Sequence, residues 1–85
     1  MLEEHHVSFD EAVTVFKDPL ALIFDDIEHS EQEHREIIIG MSALRRMLLV
    51  SFVESHDDTI RIISARPATP REIKDYEENA NTQNS

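Results

Sequence analysis

Arg61 and Arg66 lie five residues apart in "RIISARPATPREIKDY" (residues 61–76), where an apolar stretch gives way to a charged one. A guanidinium keeps its charge at any relevant pH and offers a planar fork that matches two phosphate oxygens. The chemistry this allows is a clamp on a phosphate, or on the charge that builds in a transition state at phosphorus. A structural role competes with it. Arg61 would pair with an acid on a neighbouring strand, and Arg66 with Glu72 across the junction. Spacing alone leans towards the structural role. Period-two alternation sends the two arginines to opposite faces, so a shared site requires the strand to bend before Pro67. Tyr76, four residues after Glu72, carries a hydroxyl that can donate a proton or hold a phosphate. A Tyr in such a place more often packs its ring against a sheet.

Histidine is the usual acid or base near neutral pH. His5 and His6 precede the first expected helix, and His29, His34 and His56 are scattered. No two have the H-x-x-x-H spacing of helical metal ligands. His29 and His34 flank an acidic loop that offers at most a weak metal site, so neither metal nor cofactor is expected. The chain has no Cys, which excludes disulfides and thiolate metal centres. A Gly-rich phosphate loop, a nucleophile elbow and a basic DNA-binding helix are all absent from the sequence.

The elements that must position these groups follow from pattern. "SFDEAVTVF" (8–16) reads as a short helix. Ser8 and Glu11 have capping-box spacing, and Phe9, Ala12, Val13 and Phe16 share one face. Pro19 ends it. "LALIF" (20–24) reads as a strand, and 25–33 as an acidic, solvated loop. "REIIIG" (35–40) is a strand stopped by the only Gly, and "RRMLLVSFVE" (45–54) is apolar on both faces, as a central strand would be. "SHDD" (55–58) is a turn, and "TIRIISA" (59–65) the last strand. Thr69, Pro70 and Glu72 then open a second helix, with cap, first-turn Pro and third-position Glu in order. It is expected to run to about Glu78, leaving 79–85 as a disordered polar tail. The expectation is an α+β domain over residues 1–78: a small antiparallel four-stranded sheet with an N-terminal and a C-terminal helix. The apolar density of 45–54 suggests that a second copy of the chain covers part of one face, making a homodimer.

At 85 residues the chain is one domain at most. Its formal net charge is −10, which argues against non-specific nucleic-acid binding and direct DNA binding by the whole molecule. The charge is uneven: residues 1–34 hold ten acids and one base, whereas residues 35–74 hold seven bases and five acids. An anion can be bound locally in the later part. No apolar run approaches the ~20 residues of a membrane span, and "MLEEHH" is not a signal peptide, so the expected location is cytoplasmic.

Four stretches carry a resemblance: "HHVSFDEAVTVFKDPLAL", "HSEQEHREIIIG", "LLVSFVES" and "IRIISARPATPREIKDYEE". Together they resemble the BrnT family of bacterial toxins over about residues 5–78. The family's patterns are K-H-G-[VI]-S-F-x-E-A, E-x-R-x-x-x-x-G and R-I-I-S-A-R-x-A-x-x-x-E-x-x-x-Y. The resemblance implies a RelE-like ribonuclease fold and the toxin of a type II toxin–antitoxin pair that cleaves RNA through the 2′-hydroxyl, without a metal, and inhibits translation. It implies as partner a BrnA-like antitoxin with a ribbon–helix–helix DNA-binding domain. By the same resemblance the catalytic candidates are Arg61, Arg66, Arg35 and His5, with Glu72 and Tyr76 binding substrate. The family ordinarily opens with a strand and a W-D-x-x-K-x-x-x-N segment ahead of K-H-G; here Glu4 and His6 stand for that Lys and Gly, and the sheet is expected to lack one edge strand. The alternative is a catalytically weak or degenerate member that acts as a module for dimerisation and antitoxin binding.

Overall fold

The computed structural model describes residues 6–29 and 33–83. Helix α1 spans Phe9–Thr14 and is followed by a 3₁₀ turn at Val15–Lys17. Strands β1 (Leu22–Asp25), β2 (Arg35–Met41), β3 (Met47–Glu54) and β4 (Ile60–Pro67) come next, with helix α2 (Pro70–Gln83) last. The strands form one antiparallel meander in the order β1-β2-β3-β4. This is the α+β arrangement the pattern predicts.

The first face of the sheet packs under α1. Ile38, Leu48, Val50, Phe52 and Ala65 join Val7, Ala12 and Val15 in a continuous core. Phe16 meets Phe52 edge-on, with ring centroids 5.0 Å apart. Gly40 does not stop β2, which runs on to Met41. Its lack of a side chain is used for approach: a Cβ there would lie 3.0 Å from Val15 Cγ1 and 3.2 Å from Ala21 Cβ.

The second face carries Ile39, Leu49 and Val53, and α2 crosses it against β2. Leu49 and Val53 are 7% and 6% exposed within one chain. The two-sided apolarity of β3 is therefore satisfied by α1 on one side and α2 on the other, and that strand needs no second copy to cover it.

Both long hairpins use the same three-residue loop. In the β2–β3 loop the Ser42 N–H donates to Arg46 O and the Arg45 N–H to Ser42 O. In the β3–β4 loop the Ser55 N–H donates to Thr59 O and the Asp58 N–H to Ser55 O. Each loop ends on a left-handed residue, Arg45 at φ 65° and Asp58 at φ 66°. That conformation moves the start of β3 from Arg45 to Met47, because a left-handed residue cannot continue a ladder. Helix α2 also departs from expectation. It continues past Glu78 to Gln83 because neither Gly nor Pro interrupts it. Its inward stripe of half-buried Ile73 and Tyr76 and buried Ala80 keeps helical spacing beyond Glu78.

Candidate functional site

The position of Arg61 and Arg66 is decided by a bulge. β3 and β4 pair regularly from Leu48↔Pro67 to Ser51↔Ser64, after which Phe52 pairs with Ile62. Ile63 is the extra residue, and it reverses the alternation. Arg61, opposite Val53, and Arg66, opposite Leu49, consequently share the second face. This is the bend that period-two counting requires for a common face. Val53 also pairs with Arg35 of β2, so Arg35 and Arg61 flank it from either side. Two strand spacings separate their backbones by about 10 Å. Arg66 lies four β3 residues further along, about 13 Å. The structure thus gathers Arg35 and Arg61 at one end of the second face and leaves Arg66 towards the other.

At the first end, Arg61 Nη2 donates to both carboxylate oxygens of Glu33, at 2.7 and 2.8 Å. Both side chains are more than half exposed. Such a pair is worth about 0–1 kcal/mol and exchanges readily with another anion. Glu33 lies two residues before β2, at the end of the stretch that composition assigns to the solvated loop. Its signal in the sequence is the E-x-R pattern, which Glu33 and Arg35 match.

Arg66 is held differently. Nη1 and Nη2 grip Glu72 Oε1 and Oε2 at 2.9 and 2.8 Å. Glu72 also accepts from the Thr69 N–H at 2.8 Å, and Thr69 Oγ1 accepts from the Glu72 N–H at 3.2 Å. The expected capping box is present, with Arg66 as its third member. Arg66 holds the Glu72 carboxyl below the usual carboxylate range, against the opposite pull of burial. The Arg66–Glu72 pairing across the junction is the one a structural role predicts.

Tyr76 donates its hydroxyl to Asp18 Oδ2 at 2.7 Å. Burial, with the Asp18 carboxylate beside it, pushes the phenol up to about 12. Asp18 itself accepts from the Leu20 and Met41 N–H groups at 2.9 and 2.8 Å. Burial works against its charge, but these donors prevail and its carboxyl sits below the ordinary value. Beside it, Thr14, Lys17, Met41, Ser42 and Ala43 line a shallow, open depression. Tyr76 therefore ties α2 to the corner after α1, and its proton is committed there.

A third constellation was hidden in the first helix. The Ser8 hydroxyl caps the Glu11 N–H at 3.1 Å, but the Glu11 carboxylate does not reach back to complete that box. It turns inward, 5% exposed, to Arg46 Nε at 2.9 Å, Arg46 Nη2 and Ser42 Oγ at 2.7 Å. Arg46 Nη2 also donates to His6 O at 2.8 Å. Arg46 holds Glu11 below the carboxylate range. This knot pins the β2–β3 loop to α1.

His5 lies outside the described residues. On the first face, His34 Nε2 comes within 3.0 Å of Asp25 Oδ1, and Glu36 pairs across from Asp25. Among the described residues these three bring ligand atoms within 4.8 Å of one another, in an exposed position away from Arg61. No described helix is long and apolar enough to cross a membrane.

No curated protein matches the chain. A family model described as "Ribonuclease toxin, BrnT, of type II toxin-antitoxin system" matches residues 1–72.

Proposed function

The chain belongs to the BrnT family of ribonuclease toxins of type II toxin–antitoxin systems, and from that premise we propose that it is a metal-independent endoribonuclease whose phosphate ligand is Arg61. One observation carries the assignment. Arg61 presents its guanidinium, with Arg35 on the same face, to an exposed carboxylate that a phosphate can replace. Arg35 adds positive charge from the opposite side of Val53. A donor aimed at charge that develops in the transition state is worth roughly 3 kcal/mol. Arg66 keeps a supporting role in this reading, because its fork is filled by the carboxylate that caps α2. His5, Glu72 and Tyr76 act in substrate binding or proton transfer only if RNA reaches their part of the molecule.

The wider assignment follows the family. The chain would inhibit translation in the cytoplasm by cutting RNA. A BrnA-like antitoxin with a ribbon–helix–helix domain would silence it by covering the Arg35–Arg61 end, and the toxin itself would form a homodimer. The test compares Arg61→Ala with Arg66→Ala in an RNA cleavage assay alongside thermal melts. Arg61→Ala is expected to slow cleavage about 100-fold while the melting temperature stays within a few degrees. Arg66→Ala is expected to melt lower, with cleavage tracking the folded fraction. Wild-type cleavage by Arg61→Ala would remove the assignment.

A further inference from the structure

Cleavage through a 2′-hydroxyl needs a proton acceptor beside the group that holds the phosphate, because the nucleophile and the phosphate belong to one nucleotide. Taking Arg61 as the phosphate ligand, the geometry points to Glu33 as the general base. Its two oxygens lie 2.7 and 2.8 Å from Arg61 Nη2. A phosphate oxygen that enters the guanidinium fork displaces Glu33 from part of it and leaves the carboxylate next to the sugar. Glu33 is half exposed, so it can swing without unfolding its surroundings.

Several other titratable groups at this end have partners or register positions of their own. His34 reaches Asp25. Glu36 and Glu54 alternate to the first face, where their cross-strand partners are Asp25, Phe52 and Ile60. Asp57 accepts from the Thr59 hydroxyl at 2.7 Å. His56 and Asp58 are exposed in the β3–β4 loop, and Asp26 sits where its N–H donates to Arg35 O. Arg35 and Arg61 are the strand arginines on the face that Glu33 serves.

In the step itself, the 2′-hydroxyl proton passes to a Glu33 oxygen as the 2′-oxygen bonds to phosphorus. The bond from phosphorus to the 5′-oxygen breaks, and its electron pair stays on that oxygen, which takes a proton from water. The products are a 2′,3′-cyclic phosphate and a 5′-hydroxyl. The hydroxide left behind is neutralised by the proton that Glu33 releases.

The base role and a mere cover over Arg61 predict opposite signs. As base, Glu33→Gln lowers single-turnover cleavage about 100-fold or more. Its binding to an RNA carrying a 2′-deoxy sugar at the cut site stays equal to wild type or tightens. The acid-side limb of the pH–rate profile disappears in Glu33→Gln and persists, at reduced rate, in Glu33→Asp. Glu36→Gln, on the other face, serves as control and cleaves normally. A melt checks that Glu33→Gln folds. If Glu33→Gln cleaves at or above the wild-type rate while Arg61→Ala is inactive, Glu33 only covers Arg61; the base assignment is overturned and the ribonuclease reading stands. If Arg61→Ala cleaves as wild type, or wild type does not cleave at all, the reading beneath fails and takes the base assignment with it.

Discussion

Charge pairs of different depth divide the arginines of this chain between folding and chemistry. Arg46 faces a carboxylate that is 5% exposed, whereas Arg61 faces one open to water. Removing one partner of a buried pair leaves an uncompensated charge and costs about 3–5 kcal/mol, while an exposed pair costs about 0–1. Arg46→Ala is therefore expected to lower the urea midpoint more than Arg61→Ala does, because it leaves the inward-turned Glu11 carboxylate without its cation. The same knot sets an acid limit. Glu11, Asp18 and Glu72 all hold their protons less tightly in the folded chain than when unfolded. Their contribution is fully present above the unfolded carboxylate range, roughly pH 4, and is lost as pH falls through the lower folded values. Melting temperature should fall steeply below about pH 4, and Glu11→Gln should flatten part of that fall. An unchanged slope would show that Glu11 does not drive it. Residue types alone pointed to Arg61 and Arg66. They could not rank the two, because rank depends on which carboxylate each meets: Glu72 was readable through its capping spacing, and Glu33 only through a family pattern.

At the scale of elements, the strands and the caps were legible, since apolar alternation and the Thr69–Glu72 spacing are local signals. Loop handedness and the bulge were not, because each depends on how two strands meet. Arg45 and Asp58 occupy a left-handed conformation that costs a residue with a Cβ about 1–2 kcal/mol. Arg45→Gly should raise stability by about 1 kcal/mol, less the added freedom of the unfolded chain. A melt that moves down would mean the Arg45 side chain contributes more than its backbone costs. Composition also does not mark the end of α2, since its polar residues suggest a tail while buried Ala80 continues the inward stripe. Ending the chain at Glu78 should cost about 1 kcal/mol or a little more, a fall in melting temperature of roughly 4–8 °C. No change would show that the last turns are dispensable.

For the molecule as a whole, the expectation of a dimer rested on β3, which the single chain covers by itself. Self-association has to use other apolar surface. Ile23 and Phe24 on β1 are 52% and 42% exposed, and nearby Ile27 is 83% exposed. Asp25, Asp26 and Glu28 surround them, and the chain carries −10. Like charges oppose such a contact, and salt screens them. Sedimentation at about 100 μM, where micromolar affinity is visible, should show more dimer in high salt than in low. A monomer at both would exclude this surface. The single extra residue in β4 has a consequence of another kind. It works as a phase shift, and its effect depends on chain length and hardly at all on which side chain fills the position. Substituting Ile63 leaves the shift in place; deleting it lets Ile62 follow Ser64 directly, so the ladder becomes regular with Phe52 still opposite Ile62 and Val53 still opposite Arg61. Ile62 would stay in the apolar layer beneath α1 and Arg61 on the second face, and only the local bend would be lost. At this point in the gene a lost codon removes a kink and leaves the guanidinium and the isoleucine each on its own face.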